Sequence, residues 1–127
     1  MAVQNDNGFK AYTAGEDLAA YRRVRFNSSG NLVYADAEES TLGITQADCS
    51  SGDTVTIKLI TAPGTFKIEA SEAVTFAVST DERGPLLYGA DDGKVSDTAG
   101  TKVLFNALEA SDGAGAIIEC LPYTIPN

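Results

Sequence analysis

The sequence predicts an all-β protein, folded as a single small antiparallel β-barrel or sandwich-like domain. Short runs of alternating apolar and polar residues predict strands, and Gly beside Asp, Asn or Ser between those runs predicts tight reversals. The chain has 127 residues, which is the usual size of one domain. Apolar residues make up 43% of it and charged residues 21%, so it can bury a core and is expected to fold.

About ten short strands are expected, and Thr54–Leu59 is the clearest of them. Its Val55, Ile57 and Leu59 would point to one side and the polar residues between them to the other, as in an antiparallel strand with one buried face. The remaining candidate strands are Val24–Phe26, Leu32–Tyr34, Leu42–Ile44, Thr65–Ala70, Ala73–Val78, Leu86–Tyr88, Val103–Leu108 and Ala116–Leu121.

One short helix is predicted near Asp17–Arg22. Asp17 suits an N-cap, and the good helix formers Leu18 and Ala19 follow it. With fewer than two turns, this helix would depend on tertiary packing. Residues 1–9 are rich in Asn and Asp and show no hydrophobic period, so they are predicted to form a flexible, extended N-terminal arm. Residues 10–127 are predicted to form the β domain.

A weak internal repeat relates two stretches, at about residues 30–59 and 93–121, with an offset of about 62 residues. The first opens with Gly30-Asn31-Leu32-Val33 and the second with Gly93-Lys94-Val95-Ser96. Each continues through an apolar strand, a turn containing Gly and Asp, and a final alternating strand. The match lies in order and spacing more than in identity. Duplication of one β unit and coincidence between β sequences therefore both stay open.

The net charge makes nucleic acid an unexpected partner. Nine Lys and Arg residues stand against 18 Asp and Glu residues, for a formal charge of −9, and such a surface repels a polyanion. No apolar run approaches the ~18 residues of a membrane-spanning helix, and the N-terminal residues lack the basic and apolar regions of a secretory signal. We therefore expect a soluble protein, made in the cytoplasm, with no membrane partner.

We predict no enzymatic activity, no cofactor and no metal. Histidine is absent, which removes the side chain best suited to proton transfer near neutral pH and the commonest transition-metal ligand. The sequence has no nucleophile-elbow, P-loop or dinucleotide-binding motif. Asp6-Asn7-Gly8 and Asp91-Asp92-Gly93 lack the ligand series of a calcium loop, although an irregular carboxylate cage stays open. Cys49 and Cys120 are expected to be buried or half-buried thiols, with a disulfide as the alternative.

The segment Arg22-Arg23-Val24-Arg25 concentrates positive charge in an acidic chain. In a strand, Arg23 and Arg25 would share one face, with Val24 and Phe26 on the other. Outward side chains that pair with local acidic residues are one interpretation. Contact with an acidic patch on a partner protein is the other, because the planar guanidinium binds carboxylates in a bidentate manner.

The order of features along nearly the whole chain beyond Phe9 resembles a family of tailed-bacteriophage capsid decoration proteins, also called head-stabilising or cement proteins. The matching segments are Ala14-Gly15-Glu16-Asp17-Leu18, Tyr21-Arg22, Val24, residues 31–37, Leu42-Gly43-Ile44-Thr45, residues 51–57, Asp92-Gly93-Lys94-Val95, Ala107-Leu108-Glu109-Ala110 and Gly113 with the closing strand. At Leu104-Phe105-Asn106 the sequence departs from the Leu-Gly-Val step common in such chains.

The resemblance implies a structural protein that binds the outer surface of an assembled phage head and stabilises it by multivalent, non-covalent contacts. Its implied partners are the major capsid protein and further copies of itself, with a trimer preferred by analogy. Its implied location is the outer surface of the virion, after synthesis in the host cytoplasm. The candidate capsid contacts lie in the arm and the arginine segment, and they are Val3, Gln4, Asn5, Phe9, Arg22, Arg23 and Arg25.

A receptor-binding or carbohydrate-binding β module of a phage tail or cell surface is the alternative. Such modules usually stack sugars on exposed aromatic rings. Trp is absent here, and most Tyr and Phe residues fall on strand positions that predict burial. Capsid decoration is therefore the favoured hypothesis.

Overall fold

A computed structural model describes residues 4–76, 80–100 and 102–123 of the chain. Within these residues it has eleven strands and one 3₁₀ turn at Asp91–Gly93, which confirms the all-β class. The strands are β1 (Phe9–Thr13), β2 (Arg23–Phe26), β3 (Leu32–Tyr34), β4 (Gly43–Thr45), β5 (Thr54–Leu59), β6 (Phe66–Glu69), β7 (Thr80–Asp81), β8 (Gly84–Gly89), β9 (Val95–Ser96), β10 (Val103–Ala107) and β11 (Ile117–Pro122).

The strands form two antiparallel sheets. The first has the order β1-β5-β4-β2-β3, and the second has the order β6-β11-β10-β8, with β7 and β9 both paired to β8. Strand β5 has the predicted Thr54–Leu59 bounds, with Val55 and Ile57 buried and Thr54 and Thr56 exposed. We call residues 9–59 unit one and residues 66–122 unit two.

The two units repeat one topology. When β1 to β5 are matched in turn with β6, β8, β9, β10 and β11, both sheets have the same strand order. Two bridges outside the strands repeat as well. Ala14 forms a parallel bridge with Leu32 as Ala70 does with Val95, and Leu18 forms an antiparallel bridge with Cys49 as Val74 does with Ser111.

Individual hydrogen bonds also recur between the units. The amide of Gly52 donates to the Ala14 carbonyl over 2.8 Å, and the amide of Gly115 donates to the Ala70 carbonyl over 2.9 Å. Both glycines have a φ of 89°. The offset from Leu32 to Val95 is 63 residues (95 minus 32), close to the offset of about 62 residues in the internal repeat of the sequence. The repeated units are longer than the stretches at 30–59 and 93–121, since each also includes an earlier strand.

Each unit has its own apolar core. The core of unit one contains Ala14, Leu18, Val24, Leu32, Val55 and Ile57. In unit two, Phe66 and Phe105 meet edge to face with ring centroids 6.2 Å apart, a favourable aromatic geometry. Ile44 of unit one is fully buried and belongs to the core of unit two. The two sheets are therefore joined by packing across their boundary.

The helix predicted at Asp17–Arg22 is wrong. Leu18 instead exchanges two backbone hydrogen bonds of 2.8 Å with Cys49, and Tyr21 adopts a φ of 61°. Asp17 does not cap a helix, because its carboxylate accepts from the amide of Ser51. A segment this short cannot hold a helix against such long-range bonds. The run at Ala73–Val78 is not a strand up to residue 76, since Val74 makes an isolated bridge; its last two residues lie outside the described part.

Strand β1 was not predicted. Its sequence, Phe-Lys-Ala-Tyr-Thr, alternates in polarity too weakly to signal a strand. It pairs with β5 from Phe9 opposite Lys58 to Thr13 opposite Thr54, so Phe9 begins the sheet. The flexibility of residues 1–9 stays a prediction. In the part of the chain that the structure describes, no helix has the length and apolar character to cross a membrane.

Candidate interaction surfaces

Arg23 is buried inside the molecule and is not a surface contact. Its side chain has no exposed area. Nη2 donates to the Ala90 carbonyl over 2.7 Å and to the Ala35 carbonyl over 3.0 Å, and Nε donates to the Lys94 carbonyl over 2.9 Å. The prediction that Arg23 contacts a capsid is therefore wrong, because its donors are used to join unit one to the 90–94 loop of unit two.

Burial changes the electrostatics of Arg23. Loss of hydration lowers the pKa of its guanidinium to about 10, although Asp36, Glu39 and Asp91 oppose this shift. A buried charge without partners would be very costly. The carbonyl oxygens around Arg23 replace the water it has lost, so the residue serves as a cross-link within the fold.

Arg22 is also largely engaged inside the protein. Its Nη2 lies 3.2 Å from both carboxylate oxygens of Glu69, and its Nη1 donates to the Asp92 carbonyl over 3.0 Å. Lys94 Nζ lies 3.4 Å from Oε2 of Glu69. Since the side chains of Arg22 and Glu69 are only 14% and 16% exposed, this cluster mainly joins unit one to unit two.

Arg25 is the arginine of this segment that reaches solvent. Its Nε lies 2.8 Å from Glu39 Oε2, and the two side chains are 38% and 35% exposed. The hydrogen bond from the Asp36 amide, together with the one from Arg25, lowers the pKa of Glu39. An exposed pair of this kind is weak and can exchange partners. Arg25 thus remains available to a carboxylate on another protein.

The N-terminal candidates form a compact turn before β1. Asn5 Oδ1 accepts from the amides of Asn7 and Gly8 over 3.1 and 2.9 Å, and Asn7 Oδ1 accepts from the Phe9 amide over 2.9 Å. Asn5 Nδ2 also bonds to the Phe9 carbonyl. Such Asx turns hold the chain locally without a helix or strand. Gln4 donates to Asp6 over 2.8 Å, and Val3 lies outside the described residues.

The structure separates the candidates into two groups. Gln4, Asn5 and Phe9 lie at the β1 edge of the first sheet, whereas Arg25 lies on β2, with β5 and β4 between them. Phe9 keeps 42% of its surface exposed. The sheet is curved, since Tyr12 of β1 and Phe26 of β2 still meet with ring centroids 5.0 Å apart, so the two groups are not separated by the width of a flat sheet.

Several exposed apolar side chains were missed. Phe26 shares a sheet face with buried Val24, but it is 41% exposed and meets Tyr12 edge to face at 5.0 Å. Ile117 is also 41% exposed, because it takes the outward position of the alternation in β11. Applying the period of two to Ala116–Leu121 could have found it. Among the residues that the structure describes, the large exposed apolar side chains are Phe9, Phe26, Phe76, Leu108 and Ile117.

One acidic cavity lies beside Cys49. It has a volume of about 470 Å³ and is lined by Asp17, Asp48 and Asp53. Asp17 and Asp48 already accept backbone amides of other segments. Among the described residues, no cluster of acidic, Cys or His side chains could hold a metal ion. Both cysteines are free, and burial raises the pKa of each thiol, which makes them poor nucleophiles.

Comparison with known proteins gives a likeness of fold. No protein-family model and no curated protein matches this sequence. Among solved structures, the fold is similar to the N base of head fiber gp8.5 of bacteriophage phi29, with a TM-score of 0.73. The likeness covers 91% of this chain and 92% of that chain at 16% sequence identity. At this identity the likeness establishes the shared two-sheet fold.

Proposed function

We propose that this protein is a structural component of a bacteriophage head, where it binds the outer surface of the assembled capsid and stabilises it. The fold likeness to a head-fiber base over 91% of the chain carries the proposal. It agrees with the sequence resemblance to capsid decoration proteins, which rests on different observations. The partner under this proposal is the major capsid protein, and the location is the virion surface after synthesis in the host cytoplasm.

The exposed surface supports binding rather than catalysis. Phe9 offers an apolar ring at one sheet edge, and Arg25 offers a guanidinium with one exposed acidic partner. Aromatic and arginine side chains contribute most to many protein interfaces. The contact set we propose is therefore Gln4, Asn5, Phe9 and Arg25, with Val3 retained as a sequence prediction, and Arg22 and Arg23 assigned to the interior.

Multivalency supplies the stabilisation in this proposal. A weak contact of each copy is sufficient if the copies self-associate, with three copies preferred, because each further contact then forms at an effective concentration near ~1 mM. The charge of −9 would keep the protein from binding the packaged genome without specificity. Each bound oligomer would connect neighbouring capsid subunits.

The experiment that tests this function is co-sedimentation with expanded empty heads of the phage that encodes the protein. We expect saturable binding with a fixed number of copies per head. A matched control is the same protein with heads that already carry it at full occupancy. Absence of binding to bare expanded heads would overturn the proposal.

A further inference from the structure

Within the chain, unit one covers one edge of the second sheet. Strand β6 is that edge, and the Glu69 amide donates to the Tyr21 carbonyl over 2.9 Å. Lys58, on the outer face of β5, donates from Nζ to the Thr65 carbonyl over 2.5 Å and lies 4.5 Å from the centre of the Phe66 ring. Together with the packing of Ile44, these contacts form the part of the junction between the units that lies at the β6 edge.

The equivalent edge of unit one is open in the described part of the chain. Strand β1 is the counterpart of β6, and it ends the first sheet. Gly8 and Ala14 make backbone hydrogen bonds to Leu59 and Asp53 on the β5 side. Because the direction of the backbone groups alternates along a strand, those of Ala11 and the amide of Thr13 point away from β5. Ala11 and Thr13 are exposed, whereas Asn5 and Asn7 occupy the backbone groups of Phe9.

Part of the surface that would cover such an edge is exposed in unit two. In unit one, Gln46 lines the groove between the two units. Its amide donates to Thr56, as the amide of its counterpart Leu108 donates to Glu119. Leu108 is 38% exposed, so unit two has an apolar residue facing water where unit one has a polar one. Ile117 occupies the position in β11 that Thr54 occupies in β5, and it is 41% exposed.

We propose that the outer face of β10 and β11 in one copy covers the β1 edge of a second copy at Ala11 and Thr13, beyond the Phe9 end that is assigned to the capsid. This contact would repeat between chains the strand-edge part of the contact that unit one makes with unit two inside each chain. Asn106, the counterpart of Ile44, is buried within unit two and takes no part in it. It would pair an open strand edge with exposed apolar side chains, and open edges are otherwise prone to uncontrolled association. Because the two surfaces differ, the interface is heterologous and closes into a ring when its rotation permits. Self-association by this route does not depend on capsid binding.

The internal contact also indicates which residues meet. Lys67 of β6 and Gln46 of unit one line one groove of about 240 Å³ between the units. Lys67 pairs with Glu119 of β11, and Ala11 pairs with Thr56 at the matching position of β5. Ala11 is therefore the counterpart of Lys67 on β1. The counterpart of Gln46 is Leu108. Ala11 of one copy should therefore face Leu108 of the next.

Cysteine cross-linking between two different variants tests this inference. In a Cys49→Ser background, Ala11→Cys and Leu108→Cys proteins are prepared separately, mixed and mildly oxidised without capsids. We expect a covalent dimer in the mixture at least ~10-fold above that in either variant alone, because a heterologous contact brings together two different positions. Ala99→Cys, at another exposed position, replaces Leu108→Cys in the control mixture. A yield no greater than in this control, or self-linking of one variant at the level of the mixture, would overturn the proposal.

The second measurement needs no cysteine. Light scattering of the wild type should give a mass that is a multiple of 13.3 kDa. Ala11→Lys should raise the dissociation constant at least ~10-fold, because its charged side chain would lie against the apolar Leu108, where the internal contact has the polar Gln46 beside Lys67. Ala99→Lys is the control and should leave the mass unchanged. A wild type that stays monomeric at high concentration, or an Ala11→Lys protein that associates normally, would contradict the inference.

Discussion

Nη2 of Arg23, in the first sheet, donates a hydrogen bond of 2.7 Å to the carbonyl oxygen of Ala90, which precedes the 3₁₀ turn of the second sheet. The same guanidinium also bonds to carbonyl oxygens of Ala35 and Lys94. One buried side chain thus satisfies backbone acceptors from both units. Its role is to fix their relative position, which the weaker exposed pair of Arg25 and Glu39 cannot do.

Replacing Arg23 with Met should lower the free energy of unfolding by at least ~3 kcal/mol. The substitution keeps much of the volume but leaves several buried carbonyl oxygens without donors, which is costly. Arg25→Met is the matched control and should cost no more than ~1 kcal/mol, as expected for an exposed ion pair. Urea unfolding of both variants measures the difference. Equal losses would refute the cross-linking role.

Gly52→Ala and Gly115→Ala should destabilise the protein by similar amounts, about 1–2 kcal/mol each. Both positions have a φ of 89°, which an L-residue adopts only with strain, and neither added Cβ would meet another atom within 4 Å. Gly113 is equally open but shows no such φ, so Gly113→Ala is the control and should be nearly neutral. Thermal unfolding compares the three variants. A neutral effect at either positive-φ site would show that the two turns are not equivalent.

Glu72 should make stability sensitive to acid. Hydrogen bonds from the hydroxyls of Thr98 and Ser96 lower its pKa below the ordinary value of 4.5. The folded state then binds fewer protons than the unfolded state just below that pH, so this stabilisation is present above pH 4.5 and is lost as the pH falls through the folded pKa. Glu72→Gln should flatten the decline in unfolding free energy over this range, whereas Glu38→Gln should not. Parallel pH profiles for the wild type and Glu72→Gln would contradict the assignment.

Phe9→Ala should weaken binding to expanded heads about 10-fold or more, in the range found for aromatic residues at the centre of interfaces. Phe26→Ala is a matched control, since the two rings are 42% and 41% exposed but Phe26 is not in the proposed contact set. Binding isotherms by co-sedimentation measure both, and circular dichroism checks that each variant is folded. Equal losses would remove Phe9 from the contact set.

Alternation along single strands was predictable from the sequence, whereas contacts between units were not. The inward positions of Thr54–Leu59 followed from the period of two, and β5 has those bounds. The same reasoning placed Arg23 and Arg25 on one face without showing that the 90–94 loop of unit two buries Arg23. Burial that depends on a distant loop leaves no local signal.

The sequence contains a stronger signal of the repeated topology than the similarity between residues 30–59 and 93–121. Ala14-Gly15-Glu16-Asp17-Leu18 and Ala70-Ser71-Glu72-Ala73-Val74 share small, acidic and apolar residues at matching positions, and their Ala residues form the two equivalent parallel bridges. The offset here is 56 residues (70 minus 14), which differs from that of the later strands because unit two has the additional strand β7. An insertion of this kind hides a repeat from a comparison at one fixed offset.

Imaging of expanded empty heads, prepared with and without this protein and then heated, tests the proposed function most directly. The account predicts ordered extra density on the outer capsid surface at regular lattice positions, and a higher temperature of head disruption when that density is present. Heads that show no such density at saturating protein, or that are disrupted at the same temperature when fully occupied, would contradict it.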